Sequence, residues 1–452
     1  MKHLGIDINI KNIPVLDKKF LPMSLFRREF LKSAAIPVSI CVERDNGQRA
    51  VYDTFITGKN KAADQYYIER TVKTLLWIKG GYKITICGDS GIAAHIKETY
   101  GKNGRQAFDN RFMSRVYERE FEVISLPLSE KPIQNEQSKP IGGNLAGCRI
   151  GFDAGGSDRK VSAVIDGNPV YSEEVVWHPK TTSDPDYHFD GIVSALKTAA
   201  EKMPRVDAIG VSSAGIYINN RTMVASLFLK VPEDLFDQKV RDIYIRAAKE
   251  IGDVPLIVVN DGDVTALAGA MELSSNNVLG IAMGTSQAGG FVDSAGNITG
   301  WLNELAFAPV DVCDDAMQDE WSGDIGCGVK YFSQDGVIKL AENAGIVLPG
   351  SMTPGEKMKS VHDMLKGNDP QAFDIFRSIG CYLGHTLPYY KEFYGFDHVL
   401  LLGGVMSGEG GDIIVSTATQ VLKEEYQACS FDIHVPDGKS RRVGQSVAAA
   451  SL

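Results

Sequence analysis

Apolar and polar positions alternate with a period of two in PVSICVER and in QRAVYDTFI, and the turn residues Asp45, Asn46 and Gly47 between them predict a β-hairpin. The spacing becomes helical in YYIERTVKTLLWIK, returns to a strand in YKITICG, and gives a second helix from about Ile92 to Tyr100. These elements predict an α/β module. The polar stretch SEKPIQNEQSKPIGGN, residues 129–144, has no hydrophobic period and marks a linker. A boundary near residue 145 follows, with a module at 1–145 and a larger domain at 146–452.

Beyond the linker, CRIGFDAGG and RKVSAVID read as strands joined by a Gly-rich turn, with a third strand near PVYSEEVVW. A helix from about Asp190 to Lys202, the strand VDAIGVSS, one amphipathic helix in LFDQKVRDIYIRAAKEIG, the strand PLIVVN and the helix VTALAGAMEL come next. The pattern then repeats with NVLGIAMGTS, GGFVDSAGN, a helical stretch and the strand HVLLLGGVM. Strands alternating with helices predict packed α/β layers. Two successive sets, each opening on a Gly-interrupted hairpin, predict two lobes, about 146–270 and 271–452, with a cleft between them.

Composition narrows the class. The 452 residues are 44% hydrophobic and 23% charged, ordinary globular usage that excludes a collagenous, coiled-coil or mainly disordered chain. The longest apolar runs, ASLFLKV and VLLLGGVM, fall far short of the roughly 18 residues a transmembrane helix needs. Charges scattered through MKHLGIDINIKNIPVLDKKF leave no secretory h-region, so the expected address is the cytoplasm, without membrane attachment. Seven widely spaced cysteines with no CxxC pair suit reduced thiols, and no zinc is expected. Residues 1–150 hold 24 Lys and Arg against 16 Asp and Glu, whereas the rest hold 23 against 41. A basic module invites a nucleic-acid reading. Its charge is not clustered, however, and a β-rich segment separates its helices where a helix-turn-helix has a short turn, so nucleic acid is not the expected partner.

Four constellations carry candidate chemistry. In GFDAGGSDRK, Gly155 and Gly156 let backbone N–H groups approach an anion, Ser157 adds a hydroxyl, and Asp153 at the strand end suits Mg²⁺ held through water. In VVNDGDVTALAGA, Asp261 follows an apolar strand and precedes a helix, where a carboxylate can take a proton from an attacking hydroxyl. Asp261 or Asp263 is equally suited to be that helix's N-cap, and position alone does not separate the two roles. In GIAMGTSQAGGFVDSAGN, Gly284, Thr285 and Ser286 offer a second set of phosphate donors. In LLLGGVM, Gly403 and Gly404 end a buried strand against which an adenine ring could lie. Each glycine pair has a turn-only reading as well.

The order of the four is more informative than any one. Over about residues 148–452 it resembles the ROK family of sugar kinases, within the actin-like ATPase superfamily. The resemblance implies a two-lobed, RNase-H-like fold and ATP-dependent phosphorylation of a sugar hydroxyl, with ATP and Mg²⁺ as cofactors, a sugar as partner and a homodimer as the assembly. It makes Asp153, Gly155, Gly156 and Ser157 the first phosphate motif, Asn260 and Asp261 the family's Asn-Asp pair with Asp261 the base, Gly284, Thr285 and Ser286 the second phosphate motif continued by Gly289 and Gly290, and Gly403 with Gly404 the adenosine motif. It places Ser213 and Gly215, in VSSAGIYINN, near the substrate, and likens Glu304, in LNELAF, to a glutamate that binds sugar hydroxyls. Trp301 is the tryptophan placed to stack on a sugar face.

The chain departs from the family pattern at several positions. Phe307 stands where the family often has a zinc-binding His, and EWSGDIGC, residues 320–327, keeps only Cys327 of a cysteine-rich zinc motif. The second phosphate motif carries Ser286 and Ala288 among its glycines. Asp158 follows the first motif where a lysine is usual, leaving Arg159 or Lys160 to supply positive charge. These departures support an alternative, a sugar-sensing regulator with a decayed kinase site. A third reading, an activator ATPase of a radical dehydratase, needs cluster-binding cysteines that the spacing does not provide. His178, His188, His385 and His434 fall in no metal-ligand spacing and read as structural.

Overall fold

A computed structural model of the chain describes residues 1–138, 140–436 and 441–452, with side chains of the last group from residue 445 onward. Two compact units emerge, each built from discontinuous segments.

The first unit comprises residues 1–137, 281–289 and 301–435. After a short antiparallel pairing of Lys2–His3 with Ile6–Asp7, it continues with helix α1 (Met23–Leu31), then strands β1 (Ile36–Glu43) and β2 (Arg49–Ile56), which form the expected antiparallel hairpin. Helix α2 (Lys61–Lys79), strand β3 (Lys83–Cys87), helices α3 (Ser90–Thr99) and α4 (Ala107–Tyr117) and strand β4 (Glu122–Leu126) complete the amino-terminal module around a sheet ordered β2-β1-β3-β4. Asn60 and Asp89 cap α2 and α3 by accepting from Ala63 and Ile92 N–H groups, so these helices start where side chains satisfy the free amides.

The second unit comprises residues 138–280, 290–300 and 436–452. Its sheet is formed by β5 (Cys148–Ala154), β6 (Asp158–Ile165), β7 (Asn168–Val176), β8 (Ala208–Ser213) and β9 (Leu256–Asn260), in the order β9-β8-β5-β6-β7. β5, β8 and β9 run parallel, whereas β6 and β7 return antiparallel. Helix α5 (Pro185–Ala200) packs on one side through Ile192, Leu196 and Ala199, in a core shared with Phe152, Trp177, Val211 and Tyr244. Helix α6 (Ile243–Lys249) adds Tyr244 and Ala247, and helix α7 (Asp261–Leu273) follows β9 directly. The stretch LFDQKVRDIYIRAAKEIG, expected as one helix, is broken into a short helical turn, a π-turn at Phe236–Val240 and α6. The Arg241 carbonyl leaves the helical ladder to accept from Thr222 N–H at 2.8 Å, and this long-range bond outcompetes the local one.

Strands β10 (Val278–Met283) and β11 (Gln287–Val292) form the second glycine hairpin, in a sheet ordered β11-β10-β12-β13 with β12 (His398–Leu402) and β13 (Asp432–His434). Helices α8 (Gln334–Asn343), α9 (Pro354–Lys366), α10 (Pro370–Tyr394) and α11 (Glu409–Glu425) belong to the first unit. Helix α12 (Arg441–Ala450) lies against β5 and β8 in the second, its backbone carbonyls at Ser446 and Ala449 reaching Gly151 and Gly210, where a side chain would collide. No helix among the described residues is long and apolar enough to cross a membrane.

Candidate active site

In the second unit, three parallel strands end side by side. Register pairs Asp153 with Ser212, Ala154 with Ser213, and Ser213 with Asn260, so Asp153, Ser213 and Asn260 share the carboxyl edge of the sheet, where α/β folds bind ligands. Asp153 is buried and accepts from the Ser212 hydroxyl at 2.8 Å, while its other oxygen lies 3.9 Å from Lys160 Nζ. Burial pushes its carboxyl above the ordinary range against the pull of Ser212 and Lys160.

At the next strand end the N-cap is Asn260, whose side-chain oxygen accepts from Gly262 N–H at 2.7 Å and whose amide donates to the Gly215 carbonyl at 2.7 Å. Asp263 accepts from Phe291 N–H at 3.2 Å. Capping is therefore done by the residue before Asp261. The Asp261 carboxylate accepts from Gly262 N–H at 3.0 Å, and burial, reinforced by the Asp153 charge, pushes it up to about 6.

The turn between β5 and β6 holds Gly155, Gly156 and Ser157, with Gly156 and Ser157 exposed. The Gly155 carbonyl accepts from Trp177 Nε1 at 2.8 Å, which anchors the turn, and the Lys180 side chain lies over Gly156. Strand alternation decides the two basic candidates: Lys160 turns toward Asp158 and Asp153, whereas Arg159 goes to Trp177 and Gly191. Lys180, whose charge also acts on Asp261, sits beyond the third strand, where no local motif announces it. Ser213 is fully buried, and its hydroxyl accepts from Tyr217 at 2.7 Å and Tyr244 at 2.8 Å, so its side chain serves the strand end's packing. Gly215 lies beside it, its carbonyl taken by Asn260.

The first unit holds the other candidates. Gly284, Thr285 and Ser286 form the three-residue turn between β10 and β11, with Thr285 and Ser286 exposed and Gly284 N–H donating to the Ser286 carbonyl at 2.9 Å. Gly403, at φ 103°, ends β12 against the Met283 carbonyl, in a left-handed conformation and at a close approach that only glycine allows. The Gly284–Ser286 turn and the Gly403–Gly404 pair are thus neighbours. Met358 and His362 of α9 flank Gly404, and His362 Nε2 bonds its carbonyl at 3.0 Å. The sequence offered no signal for either.

Glu304 is held from the amino-terminal module. The carbonyls of Trp77 and Ile78 in the last turn of α2, which no intrahelical partner can satisfy, accept from Glu304 N–H at 2.9 Å and Asn303 N–H at 3.0 Å. Trp301 lies between Lys79 and Tyr394. Phe307 packs with Trp77, centroids 4.2 Å apart, and with Phe108 and Trp321. Below this layer, buried Asp324 pairs with Arg70 at 2.9 Å and Lys73 at 3.1 Å, and Lys73 also meets Asp109 at 3.0 Å. Burial raises the Asp324 carboxyl, but these two cations overcome it and hold the group far below the ordinary range.

Comparison with solved structures identifies the fold. The chain matches a ROK family glucokinase from Streptomyces griseus, solved in complex with glucose and AMPPNP, at 22% identity and a TM-score of 0.51, over 67% of this chain and 98% of that one. It also matches a ROK hexokinase from Thermus thermophilus (16% identity, TM-score 0.54, 67% and 96% of the two chains) and a ROK family transcriptional regulator, a homologue of the Escherichia coli MLC protein (17%, 0.50, 68% and 79%). The fold is that of the actin-like ATPases, carrying an additional amino-terminal α/β region. The ROK family model matches residues 149–443, and the chain belongs to that family. A search of curated proteins gave no match.

Proposed function

We propose that the protein is an ATP-dependent kinase for a hydroxyl of a hexose or hexose derivative. The observation that carries this reading is the corner at Asn260 and Asp261: Asn260 caps the helix, and the next residue is a half-buried carboxylate, still open to solvent on one side, poised near 6. A base with that affinity is largely ionised at neutral pH yet still takes up a proton readily.

In this reading Asp261 takes the proton of the sugar hydroxyl as its oxygen bonds to the γ-phosphorus and the bond to the departing ADP oxygen breaks. Lys160, Lys180 and the Gly155–Ser157 amides hold phosphate oxygens in the second unit; Gly284–Ser286 and Gly403–Gly404 hold phosphate and adenosine in the first. Magnesium, when bound, neutralises charge on the phosphates. Asp153 fits it, since one carboxylate oxygen is fixed by Ser212 and the donor type suits an ion that prefers carboxylate and water. Glu304 and Asn260 orient sugar hydroxyls. Phosphoryl transfer is accelerated mainly by such positioning and electrostatics.

The test is ADP release across a panel of hexoses and N-acetylhexosamines. The parent turns over at least one sugar, and Asp261→Asn lowers kcat by about 10²–10⁴-fold while remaining folded. A folded variant as fast as the parent removes the base. A parent inert toward every sugar, with salt-dependent DNA binding, instead establishes the regulator favoured by Ser286 and Ala288.

A further inference from the structure

The outer edge of the β11-β10-β12-β13 sheet brings together three side chains that the proposed phosphoryl transfer does not use. His398 opens β12, while Asp432 opens and His434 closes β13. The strands are parallel, with His398 opposite Asp432 and Leu400 opposite His434, so residues 398, 432 and 434 lie on one face. His398 Nδ1 is 3.3 Å from His434 Nε2 and 3.6 Å from Asp432 Oδ2, and the ligand-type atoms of all three lie within 4.8 Å of one another.

Those separations have a chemical meaning. Around a tetrahedral ion with metal–nitrogen bonds of ~2.0–2.1 Å, neighbouring ligand atoms stand ~3.3–3.4 Å apart. Two edges of such a tetrahedron are therefore nearly in place. His398 Nδ1 and His434 Nε2 stand at hydrogen-bond distance, one tautomer able to donate to the other, and a cation taken up by both lone pairs would replace that single bond with two. The geometry points to a binding site for a divalent d-block ion of the zinc type, ligated by His398, Asp432 and His434 with the remaining position open to water. Two imidazoles and one carboxylate suit zinc, cobalt or nickel, and are too few in oxygen for calcium or magnesium.

The half-buried imidazoles and the exposed carboxylate leave the site accessible from solvent. The ion fastens the three-residue edge strand β13 to β12, just before Val435, the last residue of the first unit's chain. The site lies at the opposite end of β12 from Gly403, so it is separate from the adenosine motif. This binding is an addition to what the sequence suggests, since His434 has no ligand-like spacing in it and meets His398 only through strand pairing.

The experiment uses the full chain stripped with EDTA, titrated with CoCl₂ and followed by visible absorption, then displaced with ZnCl₂. The parent binds about one equivalent with the intense d–d band of low-coordinate cobalt. His398→Ala and His434→Ala each weaken binding about tenfold or more, and so does Asp432→Asn, whose exposed side chain makes it the control against misfolding. Zinc raises the parent's melting temperature and leaves that of the variants unchanged. Absence of a saturable band in the parent overturns the assignment. So does a band retained by all three variants, above all one with cobalt–thiolate charge transfer, which would assign the ion to cysteines elsewhere.

Discussion

Burial lifts the Asp261 carboxyl to about 6, and the Asp153 charge adds to the rise. The reactive form is the carboxylate, so kcat/KM should climb with pH through about 6 and level off above it; a flat profile between pH 5 and 8 would remove Asp261 as the base. The same shift acts on stability with a definite sign. A carboxyl whose folded pKa lies above its unfolded value costs stability as pH rises between the two, because the unfolded chain ionises first. Asp261→Asn keeps an oxygen for Gly262 N–H and abolishes that cost. It should therefore melt higher than the parent at pH 8 and no higher at pH 4, read by thermal scans at both values. Asp153, Asn260 and Asp261 are legible in the sequence because each stands where an apolar strand gives way to a turn or helix. Lys180, Met358 and His362 are not, since each reaches its place from a segment with no motif of its own.

Helix α2 shows how one element serves both packing and site. Its interior cations Arg70 and Lys73 are buried against Asp324 and Asp109, its Trp77 packs on Phe307, and its last carbonyls hold the backbone of Asn303 and Glu304. Removing one partner from such a buried network leaves an uncompensated charge, so Arg70→Leu should cost about 3–5 kcal/mol in urea unfolding. A loss under about 1 kcal/mol, the range of an exposed pair, would contradict that burial. The helix itself can be read from its 3.6-residue period, but its polar interior cannot: charges at 69, 70 and 73 look like a solvated face until the partners at 109 and 324 are known. The split of the 235–252 stretch is hidden for the same reason, since the Thr222 amide that captures Arg241 lies outside any local window.

At the scale of the molecule, the linker composition marks a module ending near residue 145, while the compact unit holding that module also holds residues 301–435. Periodicity reports neighbours in sequence, and this association depends on pairs hundreds of residues apart, such as Leu21 with Val312. A chain lacking residues 1–137 would uncover Phe307, which packs on Trp77, and Tyr331, which packs on Phe20, and would strand Asp324 without its cations. Burying a large apolar side chain contributes about 1.5–3 kcal/mol and whole-domain stability is only about 5–15 kcal/mol, so this truncation should be insoluble or bind hydrophobic dye without near-ultraviolet dichroism. A cooperative melt near that of the parent would show the module to be dispensable.

The interleaved segments also set a timetable on the ribosome. Residues 1–137 emerge first but find their partners only after residue 301, and β5 receives its covering helix only with residues 441–450. At translation rates of about 5–20 residues per second, the aromatic face of α2 waits on the order of 10–50 s for Phe307. Each half can finish folding only once its late segment has been made, so slower growth or added chaperone, which shelter an exposed nascent surface, should govern the yield more than any change to the finished core.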